Sequence, residues 1–221
     1  MAYLVPLIYS LSMKNFKIAA LAVFAFILFS VSLHGQTFSF TGTAGYARPQ
    51  GDAFVDQTTG KSLSSFGLGY SLEFLYLLES DERIGVGIAY SGNALFGVES
   101  EDGFDIGLYG LSFYGAKARY RLFESDRKFS PYAGLGLGMA VFSTPDITIT
   151  DNTTGNSTLV PGKSAFSLGL APEIGLHISN FVISVTYIVP MNYTIISDTG
   201  NFDGTAGALN INLGFVYDFS L

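Results

Sequence analysis

The chain has no cysteine, no tryptophan, only two histidines, and charge on just 13% of its 221 residues. Without cysteine there are no disulfides, no thiolate metal sites and no lipid-modified N-terminal cysteine. So little charge is unusual for a soluble surface of this size, and mean hydropathy is +0.38. Yet beyond residue 33 no apolar run approaches the roughly 18 residues of a membrane helix. The hydrophobicity lies instead in short alternating segments. With a net charge of −7 and no basic cluster, nucleic-acid binding is not expected.

The N-terminus carries the main exception. Lys14 and Lys17 form a basic region, Ile18 to Val31 an apolar one, and Leu33-His34-Gly35 leads into Gln36. That order reads as a secretory signal cleaved after small Gly35. Met13 is the natural start, so residues 1–35 read as an extension plus signal and residues 36–221 as one mature domain. The alternative is a retained membrane helix, which Pro6, Lys14 and Lys17 interrupt.

The mature domain is a series of eight alternating segments, at about 36–48, 63–79, 83–97, 104–123, 129–144, 164–178, 181–195 and 209–219. Successive side chains of a strand point to opposite faces. Between 66 and 78 every even position is Phe, Leu or Tyr, facing Gly67, Gly69, Ser71 and Glu73. Phe181, Ile183, Val185, Tyr187 and Val189 oppose Ser184 and Thr186. Around Tyr109 to Phe113 the apolar phase shifts, which predicts a bulge or a change of lining. Short turns at 80–82, 124–128 and 179–180 alternate with longer segments at about 49–62, 98–103, 145–163 and 196–206.

An eight-stranded barrel interior is only just wide enough for side chains to fill it. It cannot hold this many Phe, Tyr and Leu, so the apolar face must meet lipid. Phe38, Tyr46, Tyr76, Tyr120, Tyr217 and Phe219, near strand ends, would form interfacial girdles.

The final segment, Leu209 to Phe219, contains the pattern Asn212-x-Gly214-x-x-Tyr217-x-Phe219. This resembles the terminal strand by which bacterial outer-membrane barrels are recognised for insertion. With the alternation and the loop asymmetry, the mature chain resembles the small eight-stranded outer-membrane barrels: the OmpA transmembrane domain, OmpX, OmpW and porin-like barrel-domain proteins. The resemblance implies an all-β, antiparallel up-and-down transmembrane barrel in the outer membrane of a Gram-negative bacterium. It further implies periplasmic termini, extracellular long loops, and insertion by the barrel-assembly machinery.

Signals for chemistry are few. His177, the one mature histidine, falls on the inward face beside a short turn with no nucleophile paired to it in sequence. Gly134-Leu-Gly-Leu-Gly138 opens no helix, so it reads as small lumen residues rather than a phosphate loop. No cofactor or metal site is expected, and no catalysis. The long connections and their flanks hold Asp52, Asp56, Glu99, Glu101, Asp102, Asp105, Asp146, Asp151, Asp198 and Asp203 against Arg48, Lys61 and Lys163. That excess favours cations, and lipopolysaccharide is the expected surface partner of a monomer.

Six inward-facing polar residues stand out: Glu73, Lys117, Arg119, Arg121, Glu173 and Asn212. Glu73, Lys117 and Glu173 lie six or seven residues before short turns, which places them at similar depth. Opposite charges in reach of each other should pair, because an unpaired buried charge is costly. The set reads as a structural plug or, alternatively, as a gate whose pairs exchange. The expected function is accordingly a structural or surface-interaction barrel. The alternatives are a narrow channel for small or apolar solutes and, further off, a lipid-modifying enzyme.

Overall fold

The computed structural model describes residues 36–56, 59–97, 104–123, 128–150, 157–197 and 200–220. The proposed signal segment lies outside these residues, as do the acids at 99, 101, 102, 151 and 198. The described chain forms β1 (Thr37–Gln50), β2 (Ser64–Leu78), β3 (Asp81–Gly97), β4 (Phe104–Ile106), β5 (Leu108–Arg121), β6 (Phe129–Ser143), β7 (Ile147–Thr150), β8 (Ser157–Val160), β9 (Ser164–Ile178), β10 (Phe181–Ser197) and β11 (Gly200–Ser220). Eight of these close into a barrel in the order β1-β11-β10-β9-β6-β5-β3-β2, while β4, β7 and β8 form a separate small sheet. The architecture is the closed, antiparallel, eight-stranded barrel expected from the alternation.

Closure is staggered. Perpendicular to the strands, Thr37 pairs with Leu77, Leu77 with Gly85, Gly85 with Arg119, Arg119 with Gly134 and Gly134 with Glu173. Glu173 pairs with Thr186 and Thr186 with Asn210. Gly45 lies against Asn212 and Gly214 against Thr43, so Asn210 falls beside Ala47. One circuit from Thr37 therefore returns about ten residues further along β1, which tilts the strands steeply to the barrel axis. The tilt lets residues at different sequence distances from the turns meet at one level.

Outside, the even positions of β2 and β3 and the odd positions of β6 carry exposed Phe, Leu, Ile, Tyr and Met. Leu168 is 87% exposed and Phe166 77%, which suits hydrocarbon and not water. No helix among the described residues is long and apolar enough to cross a membrane, which says nothing of strands. At the end with short turns, Phe38 faces outward yet is covered. Its ring packs at 5.4 Å on Phe74, 5.8 Å on Tyr76 and 5.8 Å on Phe219, so the aromatic girdle also seals the junction of the first and last strands.

Several boundaries differ from those expected of the sequence. The register of β5 is continuous against both neighbours, so the phase shift at Tyr109 to Phe113 is a change of lining without a bulge. The register shifts instead in β10 between Ile188 and Met191, around Pro190, which has no N–H to give a ladder, and at the two ends of the β2–β3 pairing, at Ser64/Phe66 and Leu77/Leu78. After Pro190, inward positions switch from even to odd, and Tyr193 and Ile195 turn into the barrel. The expected loop at 196–206 is largely hairpin, with Ser197 opposite Gly200. The loop at 145–163 contains β7 and β8, and the fourth segment is broken at Gly107.

Candidate functional site in the barrel lumen

The lumen has two layers. Nearer the short turns it carries the charged groups, with Leu75, Leu77, Val182 and Val216 buried among them. Three basic residues point inward from one strand, at alternate positions of β5: Lys117, Arg119 and Arg121, all buried. Their acids come from other strands. Lys117 Nζ donates to Glu73 of β2 and, at 2.8 Å, to Glu173 Oε2 of β9, so one ammonium joins two carboxylates. Arg119 shares Glu73 and donates to Thr41 Oγ1 at 3.3 Å. Its guanidinium lies 4.6 Å over the Tyr132 ring.

Glu173 is held from three sides. Besides Lys117, the Tyr132 hydroxyl donates to its Oε1 at 2.7 Å and the Thr186 hydroxyl to its Oε2 at 2.8 Å. Arg121 stands apart from the expected network. It crosses the barrel to Asp218 of β11, donating at 2.7 and 3.1 Å, and to Ser39 Oγ at 3.2 Å. These three cations and three carboxylates balance, so the layer is neutral and each charge has an opposite partner, although Arg119 Nε and Arg121 Nε are buried without an acceptor among the described residues.

Small residues across the lumen make this possible. A Cβ on Gly134 would come within 3.1 Å of Lys117 Cε, and one on Gly136 or Gly169 within 3.0 Å of the Phe113 ring. Gly134 and Gly136 of β6 therefore leave space for β5 side chains, and Gly138 lies close against the β5 backbone at Tyr114 and Gly115. Tyr132 packs flat on Gly175, directly opposite it, and its ring lies 4.7 Å from His177. His177 is buried, and its Nε2 has no partner among the described residues.

Nearer the long loops the lining turns apolar. Leu95, Leu111, Phe113, Phe142 and Ile188 are buried there, with alanines 47, 140, 206 and 208 between them. The first long loop folds into this mouth as a short turn, Asp52–Phe54. Phe54 inserts with ring contacts of 5.6 Å to Tyr109 and 5.5 Å to Phe142, and Phe142 meets Tyr193 at 5.6 Å. The loop is tied to β11: Thr205 donates to Asp52 Oδ1 from its amide and, at 2.7 Å, from its hydroxyl. Gly51 precedes it at φ 110°, with its Cα so close to Thr205 that a Cβ would overlap the carbonyl oxygen.

Of the six expected lumen residues, the structure joins Glu73, Lys117, Arg119 and Glu173 directly. It places Arg121 on Asp218 instead, and leaves Asn212 Oδ1 buried without a donor among the described residues. In the terminal-strand set, Phe219 packs 6.0 Å from Tyr217 and against Phe38, while Asn212 faces the lumen. Sequence reasoning missed Asp218, Tyr132, Thr186 and Phe54. The first three share the inward parity of their strands and were open to the same reading. Phe54 lies in a loop where no periodicity exists. No group of three or more His, Cys, Asp or Glu among the described residues could hold a metal ion.

No protein-family model matches the chain, and no curated protein matches its sequence. Among solved structures, it is similar to Ail, the attachment invasion locus protein of Yersinia pestis, in complex with the heparin analogue sucrose octasulfate. That match has 22% identity over 81% of this chain and 99% of that one, with a TM-score of 0.45. It is also similar to the outer-membrane protein OprG of Pseudomonas aeruginosa, at 15% identity over 85% and 98% of the chains and a TM-score of 0.49. A third is Neisserial surface protein A, at 15% identity over 83% and 97%, with a TM-score of 0.43.

Proposed function

We propose that this chain is a closed bacterial outer-membrane barrel that acts through the surface of its long-loop end, without catalysis. The observation that carries the reading is the filled lumen. Lys117 bridges Glu73 and Glu173 across the interior, Arg121 bars one end against Asp218, and Phe54 fills the other. A barrel so filled presents its loops to the outside as the surface on which it acts. Lipid surrounds the apolar belt, the acidic loops take lipopolysaccharide through divalent cations, and the assembly machinery reads the terminal Tyr217 and Phe219. The termini and short turns face the periplasm in this reading.

A second reading, a narrow channel for small or apolar solutes, rests on the apolar upper lining of Leu95, Leu111, Phe113 and Ile188. Movement of Phe54 would expose that lining to the outside.

Because the chain lacks cysteine, a single introduced one reports cleanly. Thr59→Cys in the first long loop should react with a membrane-impermeant maleimide on intact cells, and Ser80→Cys in a short turn should react only after the outer membrane is opened. The reverse pattern would invert the orientation, and labelling of both sites only after the outer membrane is opened would remove the outer-membrane assignment.

A further inference from the structure

Between the charged layer and the apolar one lies a group of oxygen atoms that the charge network does not use. Asn93 of β3 and Asn210 of β11 are both buried, and neither Oδ1 accepts a hydrogen bond among the described residues. Asn93 is oriented by its own amide, which donates from Nδ2 to the Leu111 carbonyl at 3.1 Å, so its oxygen is the free end. The two oxygens converge. The position a Cβ would take on Gly69 lies 3.0 Å from Asn93 Oδ1 and 3.2 Å from Asn210 Oδ1. Gly69 pairs with Asn93 on one side and with Gly45 on the other, so the wall beneath is bare backbone. Asn212 Oδ1, two residues along β11 on the same face, is a third buried oxygen without a donor among the described residues.

We propose that Asn93, Asn210 and the bare face of Gly69 form a binding niche for one dehydrated monovalent cation, of the potassium or sodium class. The niche offers acceptors, so its ligand must supply positive charge or donors. Its oxygens are neutral carboxamides, which substitute for the hydration shell of a monovalent ion. Divalent ions are ordinarily held by carboxylates among their oxygen ligands. The carboxylates within the lumen, Glu73, Glu173 and Asp218, are committed to Lys117, Arg119 and Arg121. The hydroxyls of Ser71 and Thr43, on the same inward faces two residues from Gly69 and Gly45, are joined to each other at 2.7 Å. The acidic long connections at this end of the barrel raise the local cation concentration while the protein folds.

The test uses the full mature chain refolded in detergent. Crystals soaked in thallium(I) acetate should show an anomalous peak within about 3 Å of both Asn93 Oδ1 and Asn210 Oδ1. Unfolding in potassium chloride should have a higher midpoint than in choline chloride of equal ionic strength. Gly69→Ala, whose methyl would take the ion's place, should abolish that difference, as should Asn93→Leu. If Gly69→Ala does not fold, Asn210→Leu and the wild-type thallium map carry the decision. The map is the arbiter: a niche holding only water, with no thallium peak, overturns the proposal whatever the salt dependence.

Discussion

Arg121 and Asp218 face each other across the full width of the lumen, from β5 to β11, and meet through hydrogen bonds of 2.7 and 3.1 Å. In the barrel order these strands lie on opposite sides, so the pair is a crossbar at the short-turn end. Lys117 and Arg119, from the same strand, reach at deeper levels to β2 and β9, each two places round the barrel, and Lys117 thereby links those two facing strands. A single strand thus supplies the cations, and three other strands supply the anions.

Substitution at the deepest level tests the pairing directly. Glu73→Gln removes the carboxylate shared by Lys117 and Arg119. Removing one partner of a buried pair can cost roughly 3–5 kcal/mol. Here Lys117 keeps Glu173 and Arg119 keeps Thr41 and the Tyr132 ring, so about 1–2 kcal/mol is expected. Urea unfolding in detergent measures it. The plug account expects this loss with little change in conductance, whereas a gate would show longer open events with modest destabilisation.

Tyr132 separates hydrogen bonding from packing. Tyr132→Phe keeps the ring against Gly175, His177 and Arg119 but deletes the hydroxyl that donates to Glu173. Hydrogen bonds to charged groups contribute about 1.5–3 kcal/mol, and the loss should fall in that range. A Tyr132→Phe/Glu173→Gln double variant should lose less than the sum of the singles, because the two share one interaction.

The first long loop should be released by acid. Asp52 is held below its ordinary carboxyl pKa of 3.8 chiefly by the Thr205 amide and hydroxyl. A carboxyl lowered in this way contributes docking above its ordinary pKa and loses it as pH falls through the lowered one. The loop should therefore stay docked at neutral pH and loosen only below pH 3.8, by a small margin because Asp52 is exposed. A fluorophore on Thr59→Cys reports the change. Asp52→Ala should remove its pH dependence, and unchanged acid release in that variant would exclude the latch.

The barrel seam makes a separate prediction for assembly. Replacing Tyr217 and Phe219 together with serine removes the aromatic contacts to Phe38 and Phe74 at the join of first and last strands. Insertion should fail and leave periplasmic, protease-sensitive protein. Normal heat-modifiable barrel from this double variant would count against the terminal strand as the insertion signal.

The outer surface was legible because apolar side chains recur at the outward positions of β2 from Phe66 to Leu78 and of β6 from Leu135 to Val141, even where Leu75, Leu77 and Phe142 make the inward face apolar as well. The shared depth of Glu73, Lys117 and Glu173 was legible from their distances to the turns. The upper lumen was not. On β5, Tyr109, Leu111 and Phe113 face inward with the same parity as Lys117 and Arg119, but their neighbour Tyr114 is apolar too. Between Tyr109 and Phe113 the outward positions are Gly110 and Ser112, so the period-two contrast is inverted there and does not mark which face is the lumen. The β10 bulge was hidden for a related reason, since Ile188 and Val189 are alike in polarity and only Pro190 marks the break. Phe54 required knowing where a loop folds, which depends on its ties to Thr205, Tyr109 and Phe142, far away in sequence.

The closed lumen is the central claim, and single-channel recording of the refolded wild-type protein in planar bilayers tests it most directly. With Lys117 spanning Glu73 and Glu173, Arg121 barring one end and Phe54 seated in the other, no sustained conductance step should be seen at neutral pH. A stable open level in the wild-type protein, maintained over repeated insertions, would contradict the account and favour the channel.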